Sequence, residues 1–157
     1  MEKILISACL VGERCRYDGK NNYTPLIKEL LTKYELVPFC PEVEGGLPTP
    51  RLPSERKKDQ VIGKTGKNVT NNFKKGAELA LNICLYLGIR TAILKENSPS
   101  CGVNTIYDGT FSNHLIKGSG MTTELLKRKG IRVMTENDIE AFLQEDLSIN
   151  KEEINND

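Results

Sequence analysis

Three of the five cysteines follow short apolar runs of the sequence. The runs cover residues 3–9, 35–40 and 91–96; Cys9 and Cys40 end the first two, and Cys101 lies a few residues past the third. Cys101 belongs to "ENSPSCGVN", where serine, proline and glycine favour a turn that presents its side chains over one that buries them. Thiolates bind zinc and iron–sulfur clusters and act as nucleophiles. These three thiols are the first candidates for a reactive or metal-binding site.

The elements that must position these thiols alternate along the chain. A fourth apolar run covers 131–135, and amphipathic segments at 24–34, 70–88, 121–130 and 136–146 lie between or after the runs. The alternation predicts an α/β fold, a single-domain open parallel sheet flanked by helices. Thr70 is the predicted N-cap of the long helix, and Gly88 and Gly130 are predicted helix stops.

In open α/β sheets, ligands bind beyond the carboxyl ends of the strands, where the strand order reverses. The three strand-end thiols are therefore expected to converge on one crevice. Taken singly, each is equally explained as a small apolar residue that closes a core strand. Their common position at three strand ends favours a shared site.

The other two cysteines have different surroundings. Cys84 lies inside an amphipathic helix and is predicted to be a core residue. Cys15 lies between Arg14 and Arg16, whose charges favour its thiolate. It is interpreted as a fourth thiol of the site, a redox partner of Cys9, or a residue that packs its loop.

Two stretches interrupt the strand and helix pattern. Residues 41–69 are rich in proline, glycine and charge, which predicts a long functional loop or lid. Residues 104–112 contain Asp108-Gly109 between alternating residues, which predicts a small, tight hairpin. The predicted domain covers residues 1–147, and the polar residues 148–157 are predicted to form a frayed tail.

Composition limits the class of partner. The 157 residues suffice for one domain, and 22 basic against 21 acidic residues give a net charge of +1. This balance lacks the basic excess of a nucleic-acid binder, so a small-molecule substrate is expected and nucleic acid is not. The apolar N-terminal stretch is too short for a signal peptide or a membrane span. We expect a cytoplasmic protein with no membrane partner, in which the odd number of cysteines serves metal binding, catalysis or packing.

The spacing of the cysteines bears on the metal. Structural zinc takes four ligands, commonly from paired CxxC motifs, and the sequence has no CxxC; its one histidine, His114, is predicted to lie on the surface of the hairpin. An iron–sulfur cluster held by three thiolates leaves one iron open to act as a Lewis acid. That arrangement suits chemistry on a substrate.

Four ordered motifs carry a family resemblance. "SACLVGERCRYDG", "PFCPEVEGGLPTPR", "KENSPSCG" and "IKGSGMTTELL" together resemble the thiouracil desulfidase (TudS) family, long catalogued as a bacterial domain of unknown function, over nearly the whole chain to about residue 145. The resemblance implies a flavodoxin-like fold and a [4Fe-4S] cluster bound by three cysteines. It also implies removal of sulfur from a thiolated pyrimidine such as 2-thiouracil, giving uracil and sulfide. Matched by motif, the cluster ligands are Cys9, Cys40 and Cys101, and Cys15 lies near the site without being a ligand.

The chemistry implied by this resemblance needs a group that takes a proton from water and returns one to the ring. Glu42, two residues after Cys40, is the first candidate and Glu44 the second; each is otherwise a solvated loop charge. Ser98 and Ser100 are candidates to donate to the pyrimidine or to cluster sulfide, and turn capping is their alternative role.

The fourth motif also matches an anion site. Its glycines precede a helix whose free N–H groups and dipole favour a phosphate or the polar edge of a pyrimidine, or the segment is an ordinary loop and N-cap. Arg51 is predicted either to reach the same crevice or to pair with Glu55. A non-catalytic nucleotide- or anion-binding domain and a zinc or thiol-redox protein are the alternative functions. The candidate substrate- or anion-binding residues are Gly118, Ser119, Gly120 and Thr122, with Thr123 beside them.

Overall fold

The computed structural model describes residues 1–145, so the predicted domain boundary at 147 and the predicted tail lie outside the described residues. Its elements, in chain order, are β1 (Lys3–Ser7), α1 (Ile27–Leu31), β2 (Glu35–Phe39), α2 (Pro41–Glu44), β3 (Ser54–Lys57), β4 (Gln60–Gly63), α3 (Thr70–Leu87), β5 (Thr91–Leu94), β6 (Thr105–Tyr107), β7 (Leu115–Lys117), α4 (Met121–Arg128) and β8 (Arg132–Thr135). A 3₁₀ turn, Ala8–Val11, follows β1, and another, Glu136–Asp138, leads into a helix over 139–145.

A four-stranded parallel sheet forms the centre of the fold, in the order β2-β1-β5-β8. Side chains alternate across it, so Ile4 and Ile6 of β1 pack with Leu30 of α1 on one face. Leu5 packs with Ala80 of α3 and Leu126 of α4 on the other face. Helices thus cover both faces, and the predicted open parallel sheet is confirmed.

The order of the strands places a switch point between β1 and β5. The chain leaves β1 to build β2 on one side, then returns to build β5 and β8 on the other. Connections that depart in opposite directions leave a crevice between them at the carboxyl ends of the two strands. Cys9 lies in the turn just beyond β1, and Cys101 lies in the segment just beyond β5.

The long helix α3 matches its prediction closely. Gly88 ends it in the left-handed region with φ 70°, and Cys84 is 1% exposed in the core, as predicted. The N-cap is Val69 and not Thr70. The Thr70 hydroxyl accepts the backbone N–H of Val61 at 2.9 Å, so it caps no N–H group of α3. Gly76 permits a close approach: a Cβ there would lie 1.9 Å from the carbonyl oxygen of Pro41.

Residues 41–69 are more ordered than a loop or lid. Pro41 begins the short helix α2, and β3 and β4 pair as an antiparallel hairpin. Val61 and Val69 pack on Phe73 of α3, and this third apolar cluster ties the hairpin to the body of the fold. The loop prediction is wrong here because proline and charge mask the two short strands.

The hairpin β6–β7 is confirmed, but its turn is not tight. Residues 108–114 form a seven-residue connection and not a two-residue Asp108-Gly109 turn. The Glu55 carboxylate of β3 accepts the backbone N–H groups of Gly109 at 3.0 Å and Phe111 at 3.1 Å, which holds the connection open. His114 is exposed on this hairpin, as predicted.

The remaining helices are shorter than predicted. The segment 24–34 is helical over Ile27–Leu31, and 121–130 is helical over Met121–Arg128, with Gly130 beyond it at φ 85°. Throughout residues 1–145, every helix falls short of the length and apolarity that crossing a membrane would require.

Candidate active site

A cavity of about 540 Å³ opens at the switch point of the sheet. Cys9 enters it from the turn after β1, Cys40 from the end of β2, and Cys101 from the loop after β5. Cys15, on the segment between β1 and α1, also lines it. The structure therefore brings the three strand-end thiols into the wall of one cavity and adds a fourth.

Cys40 is the N-cap residue of α2, and its thiol lies 3.8 Å from the backbone carbonyl oxygen of Cys15. Hydrogen bonding from the Cys15 thiol, supported by the N–H of Val43, lowers the pKa of Cys40 to about 7 against the opposing effect of burial. The pKa of Cys15 is raised, because it hydrogen-bonds to the sulfurs of Cys40 and Cys9. Cys15 therefore keeps its proton and acts as a donor to its neighbours.

Cys9 and Cys101 also have hydrogen-bond donors. Hydrogen bonding from Cys15 lowers the pKa of Cys9 despite its burial, and the Asn22 amide nitrogen, 3.3 Å from the sulfur, acts in the same direction. Burial raises the pKa of Cys101, and the Ser7 hydroxyl opposes that rise. Each of the three sulfurs thus has a donor that stabilises its thiolate form.

The Cys101 loop is organised by one carboxylate, that of Glu96. One of its oxygens accepts the backbone N–H groups of Val103 at 2.7 Å and Asn104 at 3.0 Å, and the other accepts the Asn104 side-chain amide at 2.8 Å. Burial opposes ionisation of this carboxyl, and the bonds from Asn104 and its neighbours together lower its pKa. Both ends of the loop are therefore fixed to one charged group.

Glu42 lines the cavity, as do the carboxylates of Glu55 and Glu96. Its side chain is 18% exposed, and its Oε1 lies 3.2 Å from Nε of Arg51, which is 7% exposed. Burial raises the pKa of the Glu42 carboxyl, while Arg51 and a hydrogen bond with Ser98 oppose that rise. Glu44 is exposed and does not line the cavity. Opposite faces of the short helix α2 therefore separate the two candidates.

Arg51 reaches the crevice and does not pair with Glu55. Besides Glu42, its guanidinium donates to the backbone carbonyl of Cys15 at 2.9 Å and to that of Pro48 at 3.1 Å. Glu55 instead binds the tip of the hairpin β6–β7. Arg51 therefore joins the carboxylate of α2 to the segment that carries Cys15.

The two serines of "SPSCG" lie in different environments. Ser98 lines the cavity, and its oxygen accepts the backbone N–H groups of Ser100 at 3.1 Å and Cys101 at 3.0 Å. Ser100 is fully buried outside the cavity, with its hydroxyl 2.8 Å from that of Thr122. Ser98 thus connects Glu42 to the backbone of Cys101, whereas Ser100 fixes the loop to α4.

The N-terminus of α4 is occupied by protein. The N–H of Met121 donates to the carbonyl of Pro99 at 3.0 Å, and that of Thr122 donates to the carbonyl of Ser100 at 2.9 Å. At Gly120, a Cβ would lie 2.3 Å from the carbonyl carbon of Ser100. This packing consumes the donors on which an anion site depends. None of the candidate anion-binding residues lines the cavity that holds the cysteines: Gly118, Ser119, Gly120, Thr122 and Thr123.

The hairpin β6–β7 supplies the outer wall of the cavity. Tyr107, Phe111 and Asn113 all line it. Phe111 and Asn113 have φ values of 57° and 60°, in the left-handed region that non-glycine residues rarely adopt. The strained backbone at the tip is held by Glu55 and places an aromatic ring beside the polar interior.

Several functional candidates were not singled out from the sequence: Ser7, Asn22, Lys95, Glu96, Tyr107, Phe111 and Asn113. The sequence contains a signal for three of them. Ser7 is a polar residue at the end of an apolar strand, Glu96 belongs to the motif of Cys101, and Asn22 follows the motif of Cys9 and Cys15 by three residues. Phe111 had none, because its approach to the cavity depends on Glu55, 56 residues earlier in the chain.

The donor set fits an iron–sulfur cluster. Three sulfurs from three separate elements, each with its own hydrogen-bond donor, match the thiolate ligands that such a cluster requires. Within residues 1–145, no three histidine, cysteine, aspartate or glutamate side chains meet the geometry for holding one metal ion together. A cluster distributes its thiolates over different irons, which differs from the shared single ion of a zinc site.

Comparison with known proteins gives concordant results. The family model described as 2-thiouracil desulfurase matches residues 4–138. The chain is 40% identical over 155 residues to the uncharacterized protein YbbK of Bacillus subtilis (strain 168), covering 89% of this chain and 99% of the relative. A solved structure named [4Fe-4S]-dependent thiouracil desulfidase TudS matches with a TM-score of 0.88 and 47% identity, covering 95% of this chain and 99% of that one. The chain belongs to the 2-thiouracil desulfurase family.

Proposed function

We propose that this protein is an iron–sulfur-dependent desulfidase that removes sulfur from 2-thiouracil or a similar thiolated pyrimidine, giving uracil and sulfide. The observation that carries the proposal is the meeting of Cys9, Cys40 and Cys101 in one cavity beside the partly buried carboxyl of Glu42. The family match and the TudS neighbour support the same activity.

The three strand-end cysteines are the proposed ligands of a [4Fe-4S] cluster. When bound, such a cluster supplies an open iron that acts as a Lewis acid toward a soft sulfur atom. Cys15 lines the same cavity and is proposed to lie beside the cluster as a hydrogen-bond donor to Cys9 and Cys40, without binding it. The five free thiols and the balanced net charge support a reducing cytoplasmic setting and a small-molecule partner, with no role for nucleic acid or membrane.

Glu42 is the proposed proton carrier. Burial raises the pKa of its carboxyl above the usual value, which makes this carboxylate a better proton acceptor than an exposed glutamate. Arg51 fixes one carboxylate oxygen at 3.2 Å, and Ser98 orients the group toward the Cys101 loop. The carboxyl can therefore take a proton from water and deliver one to a ring nitrogen without leaving its position.

The outer wall provides recognition of the base. Phe111 offers an aromatic face on which a pyrimidine ring can stack, a contact typical of protein recognition of single bases. Asn113 has both donor and acceptor groups, which suit the amide-like edge of a pyrimidine. Aromatic contact and polar edge recognition together favour a flat heterocycle over a flexible thiol.

The ligand assignment is tested by serine substitution at Cys9, Cys40 and Cys101, with Cys84→Ser as the matched control in the core. Anaerobic purification should yield about four irons and four sulfides per chain in wild type and control, the content of one [4Fe-4S] cluster. We expect each ligand variant to lose the cluster absorbance. Equal iron in all four variants, or zinc in the wild type, would overturn the proposal.

The proton-carrier role is tested by Glu42→Gln, with Glu44→Gln as its exposed control two residues away. We expect Glu42→Gln to keep its cluster, since Glu42 is not a proposed ligand. Turnover of 2-thiouracil should fall by about 100-fold or more, the scale of losing general acid–base help. Near-normal turnover in fully loaded Glu42→Gln would show that the carboxyl is a bystander.

A further inference from the structure

The segment "CRYDGKNN" between β1 and α1 contributes no proposed ligand or proton carrier, yet its last residue, Asn22, contacts the proposed ligand Cys9. Asn22 in this segment directs its side-chain Nδ2 at the sulfur of Cys9, 3.3 Å away. Its backbone N–H donates to the carbonyl of Cys9 at 2.8 Å. Two hydrogen bonds thus join the same pair of residues, one through the backbone and one through the side chain.

The orientation of the Asn22 amide is set by Arg16. Nη1 of Arg16 donates to Oδ1 of Asn22 at 2.8 Å, which leaves the Nδ2 donor to face the sulfur. Arg16 is itself held by Asp18, whose carboxylate lies 3.1 Å from Nη2. The backbone turn is closed by the N–H of Gly19, which donates to the carbonyl of Arg16 at 3.0 Å.

These contacts form a chain of oriented groups that runs from Asp18 through Arg16 and Asn22 to Cys9. We propose that Asn22, oriented by Arg16, is a positioning residue whose N–H···S hydrogen bond tunes a cluster bound at Cys9. This inference rests on the proposed function, because it presumes that Cys9 is a cluster ligand. It assigns a purpose to the Arg16–Asn22 segment that ligand binding and proton transfer leave unexplained.

The physical reason is charge on the ligand sulfur. A hydrogen bond withdraws electron density from a thiolate, which favours the reduced cluster and raises its reduction potential. The same withdrawal leaves less negative charge on the cluster and strengthens the open iron as a Lewis acid. Cys40 and Cys101 receive comparable help from Val43 and Ser7, but Asn22 is the donor with a dedicated orienting partner.

The test compares Asn22→Leu with Asn21→Leu. Leucine removes the donor at similar volume, and Asn21 is an exposed neighbour whose Oδ1 accepts only the N–H of Tyr23. Both proteins are reconstituted anaerobically and titrated electrochemically with detection by electron paramagnetic resonance. We expect Asn22→Leu to lower the midpoint potential by about 59 mV, a tenfold change in the ratio of oxidised to reduced cluster. Asn21→Leu should match the wild type.

Arg16→Leu provides a second variant. It keeps the amide but removes its orienting partner, so we expect a smaller shift in the same direction. Unchanged potentials in both loaded variants, or an equal shift in Asn21→Leu, would overturn the tuning role. So would failure of both variants to bind a cluster while Asn21→Leu binds one, since that outcome indicates a structural requirement. Loading and turnover of the wild type test the proposed function separately.

Discussion

Glu96 holds the loop that carries Cys101, and its replacement by glutamine gives a sharp test of that role. The carboxylate accepts N–H groups from Val103, Asn104 and Thr105 on one oxygen and the Asn104 side-chain amide on the other. In Glu96→Gln the carbonyl oxygen keeps the backbone bonds in a weaker, uncharged form. The new side-chain NH2 group then faces the NH2 group of Asn104, and two donors cannot form a hydrogen bond with each other.

The cost follows from these contacts. One hydrogen bond to a charged group contributes about 1.5–3 kcal/mol, and the partly exposed position reduces its effect. We therefore expect Glu96→Gln to lower the free energy of unfolding of the cluster-free protein by about 2 kcal/mol. For a domain of this size that corresponds to a drop in Tm of roughly 4–8 °C. Urea and thermal unfolding measure both quantities, with Glu78→Gln on the exposed face of α3 as the control.

The pH dependence of this difference has a defined sign. The pKa of Glu96 in the folded protein lies below its usual value, because the hydrogen bonds to Asn104 and its neighbours outweigh desolvation. Its stabilising effect is therefore fully present above the unfolded pKa of about 4.3 and is lost as pH falls through the folded pKa. The gap between wild type and Glu96→Gln should be constant near neutrality and shrink below about pH 4. Equal unfolding free energies at pH 7 would refute this explanation of the loop.

Two further substitutions probe the outer wall and the packing beneath the loop. Phe111→Ala should raise KM for 2-thiouracil by about tenfold with a smaller change in kcat, because a stacked base contributes about 1–3 kcal/mol; Phe111→Tyr should restore binding, and an unchanged KM would remove the ring from recognition. Gly120→Ala should destabilise the protein by about 1–3 kcal/mol, since its Cβ would meet backbone atoms of Ser100 at 2.3–2.4 Å. Gly118→Ala, whose Cβ meets only side-chain atoms of Ile106 at 3.2 Å, is the comparison in thermal unfolding.

The sequence by itself determined the alternation of strands and helices and the cysteines at three strand ends. Both follow from local information: the length and periodicity of apolar runs, and the glycines that end helices such as Gly88. The core position of Cys84 follows from the same helical periodicity. The family motifs are also local, and the match to the 2-thiouracil desulfurase family confirms the resemblance they carried.

Only the tertiary structure decided which polar groups face the cavity. Sequence spacing treats Glu42 and Glu44 almost alike, but only Glu42 lines the cavity, where it bonds Arg51, which also reaches back 36 residues to the carbonyl of Cys15. The backbone carbonyls of Pro99 and Ser100 accept the first N–H groups of α4, which occupies the helix N-terminus that the sequence offered to an anion. Phe111 reaches the cavity because Glu55 holds its backbone from another hairpin. Whether each of these groups lines the cavity depends on a hydrogen bond between segments that are apart in the sequence, and local sequence patterns carry no information about such pairings.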